Sequence, residues 1–259
     1  MKSLFFGGVH PDGHKDLSAG VPLAAMALPA QAAVLLRQHI GAPCQPLVAV
    51  GDTVGLGQKI GDGDGLCVPV HAPVSGVVTG IEDRPHPGGG TCPAILIKND
   101  FLDTPCPTMK PYSHPEALST AELVSIIREA GIVGMGGAAF PTDVKSKTGM
   151  SRTDTLILNA CECEPYITAD DVLLRARPAD VLRGVEIVAR ILSPGRVVIA
   201  LEDNKAQAAE VLKQQLKDFP GMELKVLPTR YPQGAEKQLI QAVTGRQVPS
   251  GGLPKDVGC

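Results

Sequence analysis

The sequence predicts an α/β fold, a mainly parallel sheet with helices packed on it, preceded by a small all-β unit. Three observations predict it. Between Pro46 and Lys98 short β-branched runs are punctuated by GD, GDGDG and PGGG, the pattern of short strands joined by tight turns. From Ser119 the sequence takes on a helical period. Beyond Thr155 strand-like apolar runs alternate with helical stretches, the order that builds a parallel sheet with crossover helices.

In the first region LVAV (47–50), VVTGI (77–81) and AILIK (94–98) are the strand candidates, and no segment there sustains a helical period. The Pro-rich stretch Pro105, Pro107, Pro111 and Pro115 marks a boundary. It gives an N-terminal extension at 1–27, a β domain at 28–110 and an α/β domain at 111–259. Ser119 and Glu122 form a capping box, and Leu123, Ile126, Ile127 and Ala130 make one apolar helix face that Gly131 ends. TLILN (155–159), RVVIAL (196–201) and MELKVL (222–227) are buried-strand candidates. Helices fit 178–192, 204–218 and 233–244, the second opening after Asp203 and the last closing at Gly245.

The 259 residues suffice for one large domain or two modest ones. Three Tyr, five Phe and no Trp leave the core to Val, Leu, Ile and Ala and argue against recognition by stacked aromatics. A net charge of -3 and well-mixed charges supply no basic field, so nucleic acid is not an expected partner. The longest apolar stretch, Val21 to Leu36, is broken by Pro22, Pro29 and Gln31. It suits neither a membrane span nor a secretory signal, and a cytoplasmic location is the default expectation.

The seven Cys (44, 67, 92, 106, 161, 163 and 259) contain no C-x-x-C pair, so isolated reduced thiols are expected rather than a disulfide framework or zinc ribbon. His10 and His14 lie in GGVHPDGH and the other four His are solitary. No metal site is expected from them. No Ser-His-Asp or Cys-His arrangement is suggested either.

Three segments carry chemistry. The first, Gly131 to Thr142 followed by Lys145, holds four glycines in its first seven residues. Such a run lets backbone N–H groups approach a phosphate or a flat ring, and a nearby Lys adds charge. Gly134-x-Gly136-x-x-Ala139 matches the dinucleotide fingerprint as text, but it follows a helix where that fingerprint follows a strand. A flexible interhelical connection is the other reading. The second, Leu158 to Tyr166, lies at the end of the TLILN strand, where ligands of open α/β sheets bind. There Asn159 suits an imide edge, and Glu162 and Glu164 suit ribose or ribityl hydroxyls; a loop with two solvated carboxylates is the alternative. In the third, Tyr231 and Gly234 precede or open a helix whose N-terminus attracts anions, or they form an ordinary turn and cap.

Together FFGGVHPDGHK, GIVGMGGAAFPTDVK, LNACECEPYITADD and RYPQGAEKQLIQAVTGRQVPSGGLP resemble the signature stretches of the C subunit of the Rnf electron transport complex. The resemblance covers essentially the whole chain. The α/β module is similar to the NADH-binding flavoprotein subunit of respiratory complex I, whose glycine-rich loop and N-A-D-E-x-E-P motif surround FMN. That resemblance implies a Rossmann-like domain in which Gly134, Gly136, Gly137 and Lys145 hold the flavin and Asn159 and Glu162 lie beneath its ring and ribityl chain. Phe140, Glu164 and Glu236 would face the nicotinamide nucleotide, and Tyr231 and Gly234 would close the pocket. Here the motif's Asp is Cys161, Cys163 follows Glu162, and Ala235 replaces one of two consecutive acids.

The first domain resembles the biotinyl/lipoyl type of barrel-sandwich in Val50 to Val54, Gly57 to Ile60 and Val70 to Val77. No Lys lies between Ile60 and Pro69, so a structural or docking role is expected instead of a swinging arm. The family implies NADH passing a hydride to FMN, which returns electrons singly, with no catalytic acid or base named. It also implies electron exchange with ferredoxin through 4Fe-4S clusters in a further C-terminal region that this chain would stop short of. The expected setting is peripheral, among other subunits of an ion-translocating redox complex on the cytoplasmic face of the cell membrane. A flavin-free adaptor of a related redox complex is the alternative.

Overall fold

The computed structural model describes residues 7–109, 111–112, 114–135 and 138–259. The chain divides into two compact units, Met26–Lys147 and the residues up to Ala25 together with Thr148–Cys259.

Among the described residues of the Met26–Lys147 unit the turn-rich sequence forms seven strands: β1 (Gln31–Leu35), β2 (Gln45–Pro46), β3 (Thr53–Val54), β4 (Lys59–Asp62), β5 (Val70–His71), β6 (Gly76–Pro85) and β7 (Thr91–Asn99). They pair antiparallel in two sheets, β1-β7-β6-β3 and β2-β4-β5. One aliphatic core that includes Val34, Leu36, Val54, Ile60, Val74, Ile95 and Ile97 joins them, as a barrel-sandwich requires. VVTGI and AILIK lie in β6 and β7. LVAV does not form a strand: Leu47 and Val50 are exposed, and Asp52 Oδ2 accepts the Ala49 N–H at 2.8 Å. Side-chain turn chemistry prevails there over β propensity.

Helix α1 (Thr120–Glu129) carries the expected box, with Glu122 N–H donating to Ser119 Oγ at 3.3 Å and Ser119 N–H to Glu122 Oε2 at 2.7 Å. It buries Leu123, Val124 and Ile127. Gly131 stops it at φ 68, where a Cβ would lie 2.4 Å from the Pro69 carbonyl oxygen, so the sequence position is closed to other residues. The β4 end is pinned to α1. Arg128 donates to Asp62 Oδ1 at 2.9 Å and to the Gly63 carbonyl at 3.2 Å, and Lys59 bridges Asp62 and Glu129 at 3.0 and 2.6 Å. The tip that would bear a carrier lysine is thus tied down.

Burial alone would raise the Asp62 carboxyl, but bonds from Arg128, Lys59 and the Gly63 N–H outweigh it and hold it at about 2. Because the folded value lies below the ordinary one, the contribution is fully present above the unfolded pKa, about 4, and is lost as pH falls through 2. Asp62→Asn is expected to remove about 2 kcal/mol at neutral pH and to flatten stability between pH 4 and 2. Urea unfolding across that range checks it; an unchanged acid limb would contradict it.

Helix α2 (Thr142–Gly149) crosses into the second unit. There follow β8 (Thr155–Ala160), α3 (Ala169–Ala176), α4 (Pro178–Leu192), β9 (Arg196–Glu202), α5 (Ala206–Gln215), β10 (Met222–Leu227) and α6 (Glu236–Thr244). The three strands run parallel in the order β8-β9-β10. Central β9 is buried on both faces, which explains its unbroken apolar run. Ile199 and Leu201 face a core with Leu174, Leu182, Ala208 and Leu212 from α3, α4 and α5. Val198 and Ala200 face Leu239, Ala242 and Val243 of α6. The expected helix at 204–218 is α5 plus a 3-10 turn at Leu216–Asp218, and that at 233–244 begins later, at Glu236.

The segment from Gly7 to Gly20 is part of this unit and does not lead into the β domain. Val9 and Tyr231 exchange backbone hydrogen bonds at 2.8 Å each way, the Tyr166 N–H donates to the Gly13 carbonyl at 2.8 Å, and His14 stacks on Tyr166 with centroids 4.9 Å apart. The division at Lys147 also differs from the sequence boundary near 110, because α1 and the glycine-rich segment pack with the strands of the first unit. Among the described residues no helix is long and apolar enough to cross a membrane.

Candidate functional site

The carboxyl ends of β8 and β9 gather most of the polar residues of the α/β unit that matter. Asn159, near the end of β8, donates from Nδ2 to the Gly234 carbonyl at 2.8 Å and accepts the Cys161 N–H at 3.2 Å. Each of its two polar atoms keeps one further hydrogen-bonding position, and the residue is exposed. Gly234 is there for steric reasons: a Cβ would stand 2.5 Å from the Cys161 carbonyl oxygen. The loop at 231–235 therefore lies directly against the end of β8.

Behind this pair is a group of four charges, three of them buried and the fourth, Lys15, half-buried. Glu162 is 5 % exposed and Glu202, at the end of β9, is fully buried. Glu162 Oε1 accepts the Asp170 N–H at 2.8 Å, and Oε2 lies 3.8 Å from the ammonium of Lys205, which is itself buried. Lys15 donates to the carbonyls of Glu162, Glu164 and Ile167 at 2.6, 2.9 and 2.6 Å, using all three of its hydrogens. Burial pushes both carboxyls up, partly countered by the Asp170 N–H at Glu162 and by Lys205 at Glu202. Burial, reinforced by Lys205, lowers Lys15.

Neither carboxylate oxygen of Glu202, nor the side-chain amide of fully buried Gln233, meets a partner at full hydrogen-bond geometry. The Arg230 backbone N–H still lies close enough to Glu202 to favour its charged form. Unused hydrogen-bonding capacity of this kind costs about 1–3 kcal/mol per group if left unmet.

Cys161 stands where the resemblance expects Asp. Its Sγ donates to the Ala200 carbonyl at 3.6 Å, and burial, with Glu202 nearby, pushes the thiol far up, so it is neutral. A carboxylate there would have added a negative charge beside Glu202. The change removes that repulsion.

Asn159, Glu162 and Gly234 are thus brought together, with Tyr231 held by Val9. Glu164 and Glu236 are exposed and contribute no side-chain contact to the group. Lys15, Lys205, Glu202 and Gln233 were not singled out from the sequence. The rule that pointed to Asn159, a polar residue at the carboxyl end of a strand, applies equally to Glu202.

The glycine-rich segment belongs to the Met26–Lys147 unit. Gly134 N–H donates to the Phe140 carbonyl at 2.8 Å and Val133 pairs antiparallel with Pro141, and Met135 is 98 % exposed. A Cβ on Gly134 would come no nearer than 3.6 Å to any atom, so packing does not demand glycine there as it does at Gly131. Phe140 and Lys145 are exposed; Gly136 and Gly137 lie outside the described residues.

The family model of the Nuo51 FMN-binding domain matches residues 127–259, just over half of the chain. The chain belongs to the Nuo51 FMN-binding domain family. Residues 3–102 match the RnfC barrel sandwich hybrid domain, in keeping with the two antiparallel sheets. Over 256 residues the chain is 44 % identical to the C subunit of the Na(+)-translocating ferredoxin:NAD(+) oxidoreductase complex of Acetobacterium woodii, covering 98 % of this chain and 58 % of that protein. It is 45 % identical to the proton-translocating counterpart of Clostridium ljungdahlii, covering 100 % of this chain and 57 % of that one. With the C subunit of the ion-translocating oxidoreductase complex of Vibrio cholerae the identity is 44 %, over 98 % of this chain and 33 % of that one. The chain therefore spans from one third to somewhat over half the length of these relatives. The solved structure of an air-oxidized NAD+-reducing [NiFe]-hydrogenase aligns with 53 % of this chain and 26 % of that one, at 25 % identity and TM-score 0.46.

The donor set at the strand ends fits a flavin mononucleotide: an exposed amide with a donor and an acceptor to spare, and buried carboxyl and amide groups with unmet capacity.

Proposed function

We propose that the α/β unit is the FMN-binding, NAD(H)-facing part of the C subunit of an ion-translocating ferredoxin:NAD+ oxidoreductase complex. The observation that carries the reading is the Glu162–Lys205–Lys15–Glu202 group, buried except for half-buried Lys15, behind Asn159 and Gly234, in a chain of the FMN-binding domain family. Asn159 orients the ligand through its spare donor and acceptor. Glu162 accepts from its hydroxyls. Gly234 keeps the 231–235 loop against the end of β8, and Tyr231 with it closes the pocket. Lys15 and Lys205 offset the two carboxylates, so that the buried wall carries no net charge.

When bound, the flavin supplies the chemistry, accepting a hydride and giving up electrons one at a time. No side chain need act as acid or base. The family resemblance assigns Gly134, Gly136, Gly137, Phe140 and Lys145 to flavin and nucleotide as well, with Glu164 and Glu236 on the nucleotide side. Docking to the other subunits at the cytoplasmic face of a membrane, and electron exchange with ferredoxin, belong to the same reading. Iron–sulfur ligation is not assigned to any residue of this chain.

Purified chain mixed with FMN is expected to perturb the flavin absorbance, and the bound flavin to bleach with NADH under anaerobic conditions. Asn159→Ala is expected to weaken FMN binding about tenfold, the loss of one net hydrogen bond of roughly 1.4 kcal/mol. No perturbation at any FMN concentration would exclude the reading and favour the adaptor role.

A further inference from the structure

We propose that His39, Cys44 and Cys67, in the Met26–Lys147 unit, form a binding site for one zinc ion. Read along the chain the three look unrelated, two thiols 23 residues apart and a lone imidazole. The fold brings them together: one ligand atom from each lies within 4.8 Å of the others, and all three residues are buried. The two sulfurs are 3.6 Å apart. Two thiolates on a tetrahedral zinc, each at about 2.3 Å, stand about 3.8 Å apart, so the pair already has the spacing of a ligated edge.

The imidazole is oriented for the same role. His39 Nε2 accepts the Val68 N–H at 3.2 Å, which leaves Nδ1 protonated and donating to the Ile40 carbonyl at 3.0 Å. A ring whose far N–H is held by a backbone carbonyl, with its other lone pair turned inward, is the usual arrangement of a metal-bound histidine. In the bound state zinc takes the Nε2 lone pair in place of the Val68 amide. The Val68 carbonyl oxygen, 3.2 Å from Cys44 Sγ and 3.8 Å from Cys67 Sγ, is placed near a fourth corner.

The turns that bear the ligands are fixed to each other. The Ala42 N–H donates to the Leu66 carbonyl at 2.9 Å and the Cys44 N–H to the Leu36 carbonyl at 2.7 Å. Gly41, at φ 119, would place a Cβ 2.1 Å from the Leu66 carbonyl oxygen, and Gly63 would place one 3.1 Å from Cys67 Sγ. Side chains at either position would push the ligand turns apart. Glycine there keeps the three donors converged.

The donor set selects the ion. Two sulfurs and one imidazole nitrogen, with no carboxylate, disfavour magnesium, calcium and manganese. Two thiolates carry two negative charges that a divalent ion cancels in a buried setting, whereas copper(I) would leave one over. Zinc is the divalent ion that meets both conditions without redox chemistry.

The test uses the 259-residue chain, purified under reductant, stripped with chelator and dialysed against zinc. Expected are one zinc per chain by elemental analysis and, with cobalt(II) substituted, thiolate charge-transfer and tetrahedral ligand-field bands. Alkylation of Cys44 and Cys67, mapped by mass spectrometry, is expected to slow at least about tenfold with zinc, following the linkage of opening to binding, with Cys161, Cys163 and Cys259 unaffected. The Cys161→Ser/Cys163→Ser variant keeps the zinc and the Cys44→Ser/Cys67→Ser variant loses it. If the latter does not fold, the alkylation map of the unaltered chain decides. Substoichiometric zinc, equal alkylation rates with and without it, zinc retained without both thiols, or a Cys44–Cys67 disulfide formed under reductant would each overturn the proposal.

Discussion

Replacing Lys15 by methionine is expected to lower the stability of the α/β unit by about 3 kcal/mol, the scale of one or two hydrogen bonds to a charged donor. Methionine keeps the length and most of the volume of the side chain, so the effect reads polar contacts and not a cavity. The carbonyls of Glu162, Glu164 and Ile167 lose their common donor, and Lys205 is left as the cation facing two buried carboxylates. Lys15→Arg restores the charge, but a planar fork cannot direct three bonds to carbonyls that converge on one nitrogen, so only partial recovery is expected. Urea unfolding followed by far-ultraviolet circular dichroism measures both variants. A loss below about 0.5 kcal/mol, the ordinary scatter of surface substitutions, would mean that the ammonium is merely lying on the loop.

Substituting Gly234 with valine is expected to weaken FMN binding by roughly 100-fold while costing about 1–3 kcal/mol of stability, the range of overpacking strain. Even the first added carbon would meet the Cys161 carbonyl oxygen at 2.5 Å. Relief requires the 231–235 loop to move off the end of β8. That movement breaks the bond from Asn159 Nδ2 to the Gly234 carbonyl and turns the amide away from the orientation proposed to meet the ligand. Gly234→Ala should fall between the parent and valine. Fluorescence titration with FMN, beside a thermal melt, separates the two effects: a melt that drops with unchanged affinity would show that the Gly234–Cys161 contact is structural and faces no ligand.

The strand–helix alternation was legible because β9 is covered on both faces. Its residues Val198 to Leu201 had to be apolar throughout, and an unbroken apolar run is visible without knowing any contact. Helix α1 was legible for a local reason as well, since its capping box and terminating Gly131 lie within the same short stretch. Helices α2 and α3 were missed, because Thr142–Gly149 has only Val144 as a large apolar residue and Ala169–Ala176 begins straight after a segment read for its chemistry.

At the candidate site, the convergence of Asn159 and Gly234, with Glu162 nearby in the chain, was legible because each sits in a short motif with an obvious place at a strand or helix end. Lys15 was not. Its partners are 147 to 152 residues away, and no spacing rule reaches that far. The same limit hid the approach of His39 and Cys44 to Cys67, which depends on backbone bonds between two turns and not on a C-x-x-C interval.

The path of the chain has a consequence for how the molecule is made. Residues around Lys15 leave the ribosome early, yet the carbonyls they serve are synthesised after the whole Met26–Lys147 unit. That intervening unit has every one of its strands available as soon as it emerges, so it can fold before the α/β unit is complete. Were the same stretch an open coil, joining Lys15 to Ile167 across 152 residues would cost on the order of 4 kcal/mol in closure entropy. A folded insertion shortens that search. The α/β unit is then completed last, when the segment around Lys15 is taken up by the loop that follows β8.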